Sequence, residues 1–209
     1  MTHVSLSHNK RLSFVGKTGM GKTFLANYLA KQFARKVPDL QMVFIDPKFE
    51  RRAFGDGETI DKPKLVTKYN PKIRFQCFQS YNWTSELEDM TMQIMKRGTA
   101  IVDLDELGGL ATAQVVPDGI TRLATQGRGK GVGLWSKYQK PLGVPKVLKS
   151  QSEYFFLFRL TPHEDRREMM NYIPDEAILE RIPKFYYWLY HDEMENAILV
   201  KPIDIKGTK

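Results

Sequence analysis

The sequence predicts an α/β fold in which helices cover both faces of a mostly parallel β-sheet. Short apolar runs of strand length alternate with helical patterns along most of the 209 residues, and residues 154–160 are apolar almost without interruption. Alternating strands and helices are typical of parallel sheets, and a continuous apolar run is typical of a strand buried on both faces. We expect a single domain over residues 1–209, because this length suits one domain.

The composition, with 42% hydrophobic and 27% charged residues, is that of a globular protein rather than a fibrous or disordered one. The net charge of +8 favours a polyanionic partner, although basic proteins with other partners are common. Cys77 is the only cysteine, which indicates a reducing compartment. The sequence shows no signal-peptide pattern and no apolar stretch of membrane-spanning length, so we expect a soluble or peripherally attached protein.

A glycine-rich turn connects the first predicted strand, residues 12–15, to the first predicted helix, residues 24–30. It fills every fixed position of the pattern G-x-x-x-x-G-K-[ST], which in this strand-to-helix context is a P-loop. Its residues are Gly16, Lys17, Thr18, Gly19, Met20, Gly21, Lys22 and Thr23. Backbone N–H groups of such a loop surround phosphates at a helix N-terminus. We therefore expect Lys22 to contact the β- and γ-phosphates and Thr23 to ligate Mg²⁺.

The second predicted strand, residues 41–46, places Asp46 at its carboxyl end, followed by Pro47 and Lys48. Ligands bind at that edge of open α/β sheets, so Asp46 is a candidate for the nucleotide site. An Asx-type turn explains the same residue equally well. Both interpretations of Asp46 stay open.

Residues 49–72 are predicted to form an irregular insertion, because they are rich in Gly, Pro, Asp and Lys and show no sustained period. Taken singly, its basic residues are typical of a solvated surface, whereas as a set they suggest a nucleic-acid contact. They are Arg51, Arg52, Lys62, Lys64, Lys68 and Lys72. After the insertion we expect a strand over residues 73–78 and a helix that begins at a capping box of Ser85 and Glu88.

A predicted buried strand over residues 99–104 is followed by an acidic pair. A P-loop protein needs one carboxylate at such a strand end to hold Mg²⁺ and one to polarise the attacking water. Asp105 as the metal residue with Glu106 as the base satisfies both needs, because the two residues are adjacent. Asp103 as the metal residue is the alternative register.

Two further candidates flank the next predicted strand, residues 132–136. Arg128 precedes it in a basic glycine-rich loop, and Gln139 follows it. An arginine near a subunit edge can contact a neighbour's γ-phosphate, and a glutamine at a strand tip can position water or sense the phosphate. Taken alone, Arg128 is more typical of a solvated charge and Gln139 of a turn.

The C-terminal part is predicted to contain a short helical turn at residues 145–150 and a charged helix at residues 162–172. A shorter helix is expected at residues 175–181. Residues 183–202 contain two apolar runs joined by a polar stretch, which predicts a closing β-hairpin.

Taken in order, these motifs resemble the FtsK–HerA superfamily of DNA-pumping ATPases, and most of all the small genome-packaging ATPases of tailless, membrane-containing icosahedral viruses. The likeness extends over residues 12–170. The P-loop is similar to the superfamily's G-x-T-G-x-G-K-[ST], and residues 45–48 resemble its strand that ends in Asp-Pro-Lys. Residues 105–106 match its acidic pair. Residues 127–134 resemble its basic loop and strand, and residues 139–141 its Gln-x-Pro element.

The resemblance implies a P-loop NTPase fold of the RecA/ASCE type and Mg²⁺-dependent ATP hydrolysis that drives double-stranded DNA into a preformed capsid. It also implies a homo-oligomeric ring, a hexamer by analogy, in which Arg128 acts in trans and Gln139 is the sensor. A capsid or membrane protein at the packaging vertex is the implied docking partner, and the host cytoplasm or the virion the implied location. Asp103 stands where the family usually has an aliphatic residue, so the register of the acidic strand stays open.

Two rivals remain at the level of sequence. The first is a plasmid conjugation or partitioning-type ATPase, in which Lys17 would act across a dimer. Thr18, where the partitioning group expects glycine, and the Asp105–Glu106 pair weigh against the partitioning form. The second is a nucleotide-gated structural component with little turnover.

Overall fold

The computed structural model describes residues 6–48, 69–70, 72–79 and 83–204. In these ranges eight strands form one sheet, in the spatial order β3-β2-β4-β5-β1-β6-β7-β8. The strands are β1 (Arg11–Val15), β2 (Gln41–Ile45), β3 (Phe75–Phe78), β4 (Ala100–Leu104), β5 (Val132–Tyr138), β6 (Tyr154–Phe158), β7 (Tyr187–His191) and β8 (Ile198–Val200). β1 to β6 pair in parallel, and β7 and β8 add antiparallel to them.

Helices cover both faces of the sheet. They are α1 (Lys22–Lys36), α2 (Trp83–Arg97), α3 (Asp118–Gln126), α4 (Lys146–Ser150) and α5 (His163–Met170). On one face α1 packs Leu25, Ala30 and Phe33 against Phe14, Trp135 and Phe156. On the other face α2 to α5 bury Leu87, Ile94, Ile120, Leu123, Leu148 and Met169 against Val43, Val102 and Leu134. The predicted α/β fold is therefore confirmed.

The central strands owe their position to uninterrupted burial. Every residue of β2, β4, β5 and β6 is buried, which is the pattern expected of parallel strands covered on both sides. The aromatic run of β6 lies in this core, since Phe156 stacks on Phe14 with ring centroids 4.8 Å apart.

The C-terminal hairpin predicted within residues 183–202 is confirmed by the antiparallel pairing of β7 with β8. The predicted capping box is wrong, because α2 begins at Trp83 and already includes Ser85. The helix predicted at residues 175–181 is a shorter 3₁₀ turn, Glu176–Leu179. The predicted insertion at residues 49–72 falls mostly outside the described residues. Within the described ranges, no helix combines the length and the apolar character that crossing a membrane requires.

The strand order determines where the site residues meet. β5 lies between β1 and β4, and β2 is the next strand beyond β4. Because these strands are parallel, their carboxyl ends lie at one edge of the sheet, where ligands bind in folds of this type. The loop after β1, Asp46 after β2, the acidic pair after β4 and Gln139 after β5 therefore converge at that edge.

Candidate functional site

The glycine-rich loop is fixed to the strands on both sides of β1. The Gly16 amide donates a hydrogen bond to the Tyr138 carbonyl, and the Lys17 amide donates one to the Arg159 carbonyl, both at 3.1 Å. Gly16 has φ +143°, and a Cβ on it would lie 2.7 Å from the Phe158 Cβ. A larger residue cannot occupy this position without moving β6, so the loop requires glycine there.

Lys22, the first residue of α1, is buried beneath the loop. Its ammonium donates hydrogen bonds to the carbonyl oxygens of Gly16, at 2.5 Å, and Lys17, at 3.2 Å. Burial lowers the pKa of Lys22 to about 8, against the opposing charges of Asp105 and Glu106. Among the described residues, two loop carbonyls and the charges of Asp105 and Glu106 stabilise this ammonium, and a bound polyphosphate would add negative charge beside it.

Glu106 connects three strand ends. Its Oε1 accepts a hydrogen bond from Gln139 Nε2 at 2.8 Å and lies 2.5 Å from the Lys48 ammonium. The backbone of Glu106 has φ +56°, a left-handed conformation that costs a non-glycine residue about 1–3 kcal/mol and recurs at functional sites. The carboxylate is therefore held at the carboxyl edge by contacts from β2 and β5 and by a strained turn after β4.

Asp46 forms the Asx turn that is one interpretation of its sequence position, and its role in a nucleotide site stays a prediction. Its Oδ1 accepts a hydrogen bond from the Lys48 amide at 3.2 Å, as in an Asx turn. Its Oδ2 accepts one from Gln79 at 3.0 Å. The residue also lines the cavity beside the glycine-rich loop.

Asp103 and Asp105 differ sharply in environment. Asp103 is fully buried, and its two carboxylate oxygens lie 2.7 and 2.8 Å from the Lys137 ammonium. Asp105 is a quarter exposed, lies 3.6 Å from the same ammonium, and lines the cavity. Among the described cavity-lining residues, Asp105 and not Asp103 faces the space that a ligand would occupy.

The converging side chains enclose one cavity of about 540 Å³ at the carboxyl edge. Loop residues, carboxylates and amide and ammonium groups all line it, namely Thr18, Gly19, Gly21, Lys22, Thr23, Asp46, Lys48, Asp105, Glu106, Lys137 and Gln139. The Thr23 hydroxyl and the Asp105 carboxylate open into the same space. Oxygen donors of this kind suit Mg²⁺, so these two residues fit a magnesium ion.

Sequence reasoning assigned no role to Lys48 or Lys137, although both line the cavity. The available signal was positional. Lys48 stands three residues after the end of β2, and Lys137 is a lysine inside the apolar strand β5, next to the strand that carries the equally unexpected Asp103. Their partners could be known only once β2, β4 and β5 were placed side by side.

Arg128 does not join this cluster. It lies before β5, and β5 alone spans about 23 Å, so Arg128 sits toward the opposite edge of the sheet. Its guanidinium is half exposed and lies 3.0 Å from the buried Glu153 carboxylate. Glu153 also pairs with Lys10, at 2.7 Å, and with Arg11. Within one chain, Arg128 therefore cannot reach the cavity.

The chain has the fold of a P-loop NTPase. Its defining features are the glycine-rich loop before α1, the acidic pair after β4 and the glutamine after β5. No protein-family model matches the sequence, and no curated protein is significantly similar to it. Solved structures are similar to it throughout: 95% of this chain aligns with the whole of the genome packaging NTPase B204 from Sulfolobus turreted icosahedral virus 2 in complex with ATP-gammaS, with a TM-score of 0.77 and 16% identity.

Two further structures support the same fold. B204, the DNA-packaging ATPase from Sulfolobus Turreted Icosahedral Virus, aligns over 95% of this chain and all of its own, with a TM-score of 0.76 and 15% identity. The pCW3 conjugation coupling protein TcpA aligns over 91% of this chain and 59% of its own, with a TM-score of 0.64 and 12% identity. The predicted resemblance to genome-packaging ATPases is thus confirmed for the fold.

Proposed function

We propose that this protein is a Mg²⁺-dependent ATPase that moves double-stranded DNA into a preformed viral capsid. The observation that carries the proposal is the position of Glu106: hydrogen-bonded to Gln139, it lines the same cavity as Lys22 and Thr23. A carboxylate opposite a phosphate-binding loop is the arrangement that ATP hydrolysis requires, because water must be oriented toward the γ-phosphate. The structural similarity to B204, a genome packaging NTPase, supports DNA packaging as the function.

Each residue has a distinct task in the proposed reaction. The loop amides and the Lys22 ammonium would hold the β- and γ-phosphates and balance their charge. Thr23 and Asp105 would hold Mg²⁺, which neutralises charge on the phosphate oxygens when bound. Glu106 would accept a proton from the attacking water. Gln139, whose amide already contacts Glu106, would keep the carboxylate and the water aligned.

Glu106 also forms an ion pair with Lys48 through Oε1, the oxygen that accepts the Gln139 hydrogen bond, so Lys48 competes with an attacking water for this carboxylate. Turnover therefore requires Lys48 to release Glu106, for example toward the γ-phosphate that would arrive in the same cavity. This exchange would couple nucleotide occupancy to activation of the base, so that water is not polarised before the nucleotide is in place.

A ring of subunits accounts for the position of Arg128. Since Arg128 lies at the edge of the sheet opposite the cavity, it can serve a site only on another subunit. Head-to-tail contacts between identical subunits close into rings, and such contacts bring one edge of a subunit to the opposite edge of the next. We propose a homo-oligomeric ring, a hexamer by analogy, with Arg128 acting in trans.

The net charge of +8 supports DNA as the transported polymer. Lysines and arginines that contact phosphates release counterions, which makes binding salt dependent and largely independent of sequence. The similarity to TcpA favours a second candidate, DNA transfer in conjugation. Both candidates are DNA translocases, and they differ in where the DNA is delivered.

ATP hydrolysis by the purified protein, with and without linear double-stranded DNA, tests the proposal. We expect DNA to stimulate hydrolysis, and the stimulation to fall steeply as salt rises. Equal stimulation by unrelated DNA sequences is also expected. Tight ATP binding with no ATP hydrolysis, whether or not DNA is present, would contradict the proposal and favour a nucleotide-gated structural component.

A further inference from the structure

A second cavity, of about 330 Å³, adjoins the phosphate cavity. Gly21, Phe24 and Phe185 line both cavities, so the two spaces lie side by side at the N-terminus of α1. The remaining lining residues are almost all apolar, namely Leu25, Phe158, Tyr187, Pro202 and Ile203. An aromatic and aliphatic recess therefore lies directly beside the polar cavity at the glycine-rich loop.

Two aromatic rings at the junction are unusually exposed for core-type residues. Phe24 and Phe185 each retain 46% of their surface, on different elements, and face one shared space. Single exposed apolar residues are ordinary. Two phenylalanines that line both cavities beside the phosphate loop instead form an exposed aromatic surface next to the phosphate cavity.

The position of Phe185 is enforced at some cost. Its backbone has φ +69°, a conformation that residues with a Cβ rarely adopt and that persists where the surroundings impose it. A Cβ placed on Gly21, the N-cap of α1, would lie 3.5 Å from the Phe185 ring and 3.4 Å from the Phe158 ring. The Lys184 ammonium lies 4.8 Å from the centre of the Phe185 ring. The Phe185 ring therefore lies close to the backbone of the loop at Gly21.

We infer that this recess binds the base of the nucleotide, which stacks on Phe24 and Phe185; the inference rests on the proposed nucleoside triphosphate substrate. The phosphates, held at the N-terminus of α1, fix one end of the nucleotide. Its base must then lie against a neighbouring surface, and the aromatic recess beside the glycine-rich loop provides that surface. Aromatic faces accept any base by stacking, and the apolar lining excludes water from the ring.

The lining also determines specificity. Among the described residues of the recess, Tyr187 is the one whose side chain offers a polar group, and burial raises its pKa, so the hydroxyl stays protonated. Strong discrimination between bases requires several buried hydrogen-bonding groups that the wrong base leaves unpaired. The recess therefore binds a base by stacking without reading its edge, and the substrate class is a nucleoside triphosphate rather than ATP alone.

Comparing ATP with inorganic tripolyphosphate separates the two cavities, because tripolyphosphate has the phosphates but no base. Calorimetric titrations with Mg²⁺ present would use the wild type, Phe24→Ala, Phe185→Leu and Phe185→Trp. Met92→Ala, which removes an equally exposed apolar side chain from α2, is the matched control. We expect Phe24→Ala and Phe185→Leu to weaken ATP binding about tenfold, the range of one lost stacking contact. Tripolyphosphate affinity should stay within about twofold, and Phe185→Trp should preserve ATP binding.

Several outcomes would overturn the base recess. ATP affinity could be unchanged in both variants, or ATP and tripolyphosphate affinity could fall together, which would show that the rings only support the loop. A preference for ATP over GTP above about a hundredfold would contradict recognition by stacking. Failure of the wild type to bind either ligand would overturn the proposed function and the recess together, whereas binding as expected without hydrolysis would overturn only the proposed function.

Discussion

The Lys137 ammonium lies between two carboxylates, 2.7 Å from Asp103 Oδ1 and 3.6 Å from Asp105 Oδ1. Lys137 and Asp103 are both fully buried, on the adjacent strands β5 and β4. Asp103 therefore serves as the partner of a buried lysine, which accounts for a polar residue inside an apolar strand. Asp105, at the strand end, is left as the carboxylate that we propose for Mg²⁺.

Replacing one partner of this buried pair should lower the free energy of unfolding more than replacing both partners. We expect Lys137→Met alone to lower the free energy of unfolding by about 3–5 kcal/mol, because the buried Asp103 carboxyl would lose its cationic partner. Lys137→Met with Asp103→Leu should recover most of that loss, since two apolar side chains replace both charges. Urea denaturation measures both values.

An exposed ion pair provides the control for this comparison. Arg122→Ala removes a contact with Glu88 whose partners are 45% and 32% exposed, and should cost no more than about 1 kcal/mol. A Lys137→Met variant as stable as the wild type would contradict the assigned partnership.

Glu106→Gln isolates the chemical step. A glutamine at position 106 still offers an oxygen to the Gln139 amide but cannot take a proton from water. We expect kcat to fall about 10²–10⁴-fold, with ATP affinity retained because Lys22 and the loop are unchanged. Steady-state hydrolysis and ATP titration measure the two quantities. Glu88→Gln, the same substitution on α2, should leave kcat unchanged, and DNA-stimulated hydrolysis that survives Glu106→Gln would refute the assigned base.

Local patterns were sufficient to predict the fold and much of the candidate site. The alternation of strands with helices predicted the sheet. The glycine-rich motif pointed to Lys22, the end of an apolar strand to Asp105 and Glu106, and the family resemblance to Gln139. The Lys137–Asp103 pair was not predicted, because it depends on β4 and β5 being neighbours although 27 residues separate the two strands in the chain. The start of α2 was misplaced because Ser85 and Glu88 fit a capping pattern that the preceding residues extend past.

The lowered pKa of Lys22 predicts a pH dependence of nucleotide binding. In the free protein this pKa is about 8, so the ammonium is mostly charged at about pH 7 and mostly neutral at about pH 9. Phosphate charges raise the pKa of the bound lysine. Binding should therefore take up a proton at about pH 9 but hardly any at about pH 7, and ATP affinity should fall as pH rises above 8.

Calorimetry in buffers of different ionisation enthalpy measures that proton uptake directly. Lys22→Arg is the control. Its guanidinium stays charged in the free and in the nucleotide-bound protein, so this substitution should abolish the proton uptake. Identical heats in all buffers at about pH 9 for the wild type would show that Lys22 does not titrate on binding.

Arg128 provides a test of the ring, because its expected role requires two subunits. Arg128→Ala should preserve the fold, since the Arg128 guanidinium is half exposed and the buried Glu153 carboxylate keeps Lys10 and Arg11 as partners. Loss of a trans-acting arginine should nevertheless lower kcat about 10³-fold or more.

In a mixture of Arg128→Ala and Glu106→Gln subunits, the second variant supplies arginines to intact carboxylates of the first. Mixed rings should therefore hydrolyse ATP faster than either variant alone, whereas Arg122→Ala should retain its activity without a partner. Because an arginine acting within its own chain, or only as a structural ion pair, cannot produce complementation, an inactive mixture that nevertheless forms mixed rings would contradict the trans role.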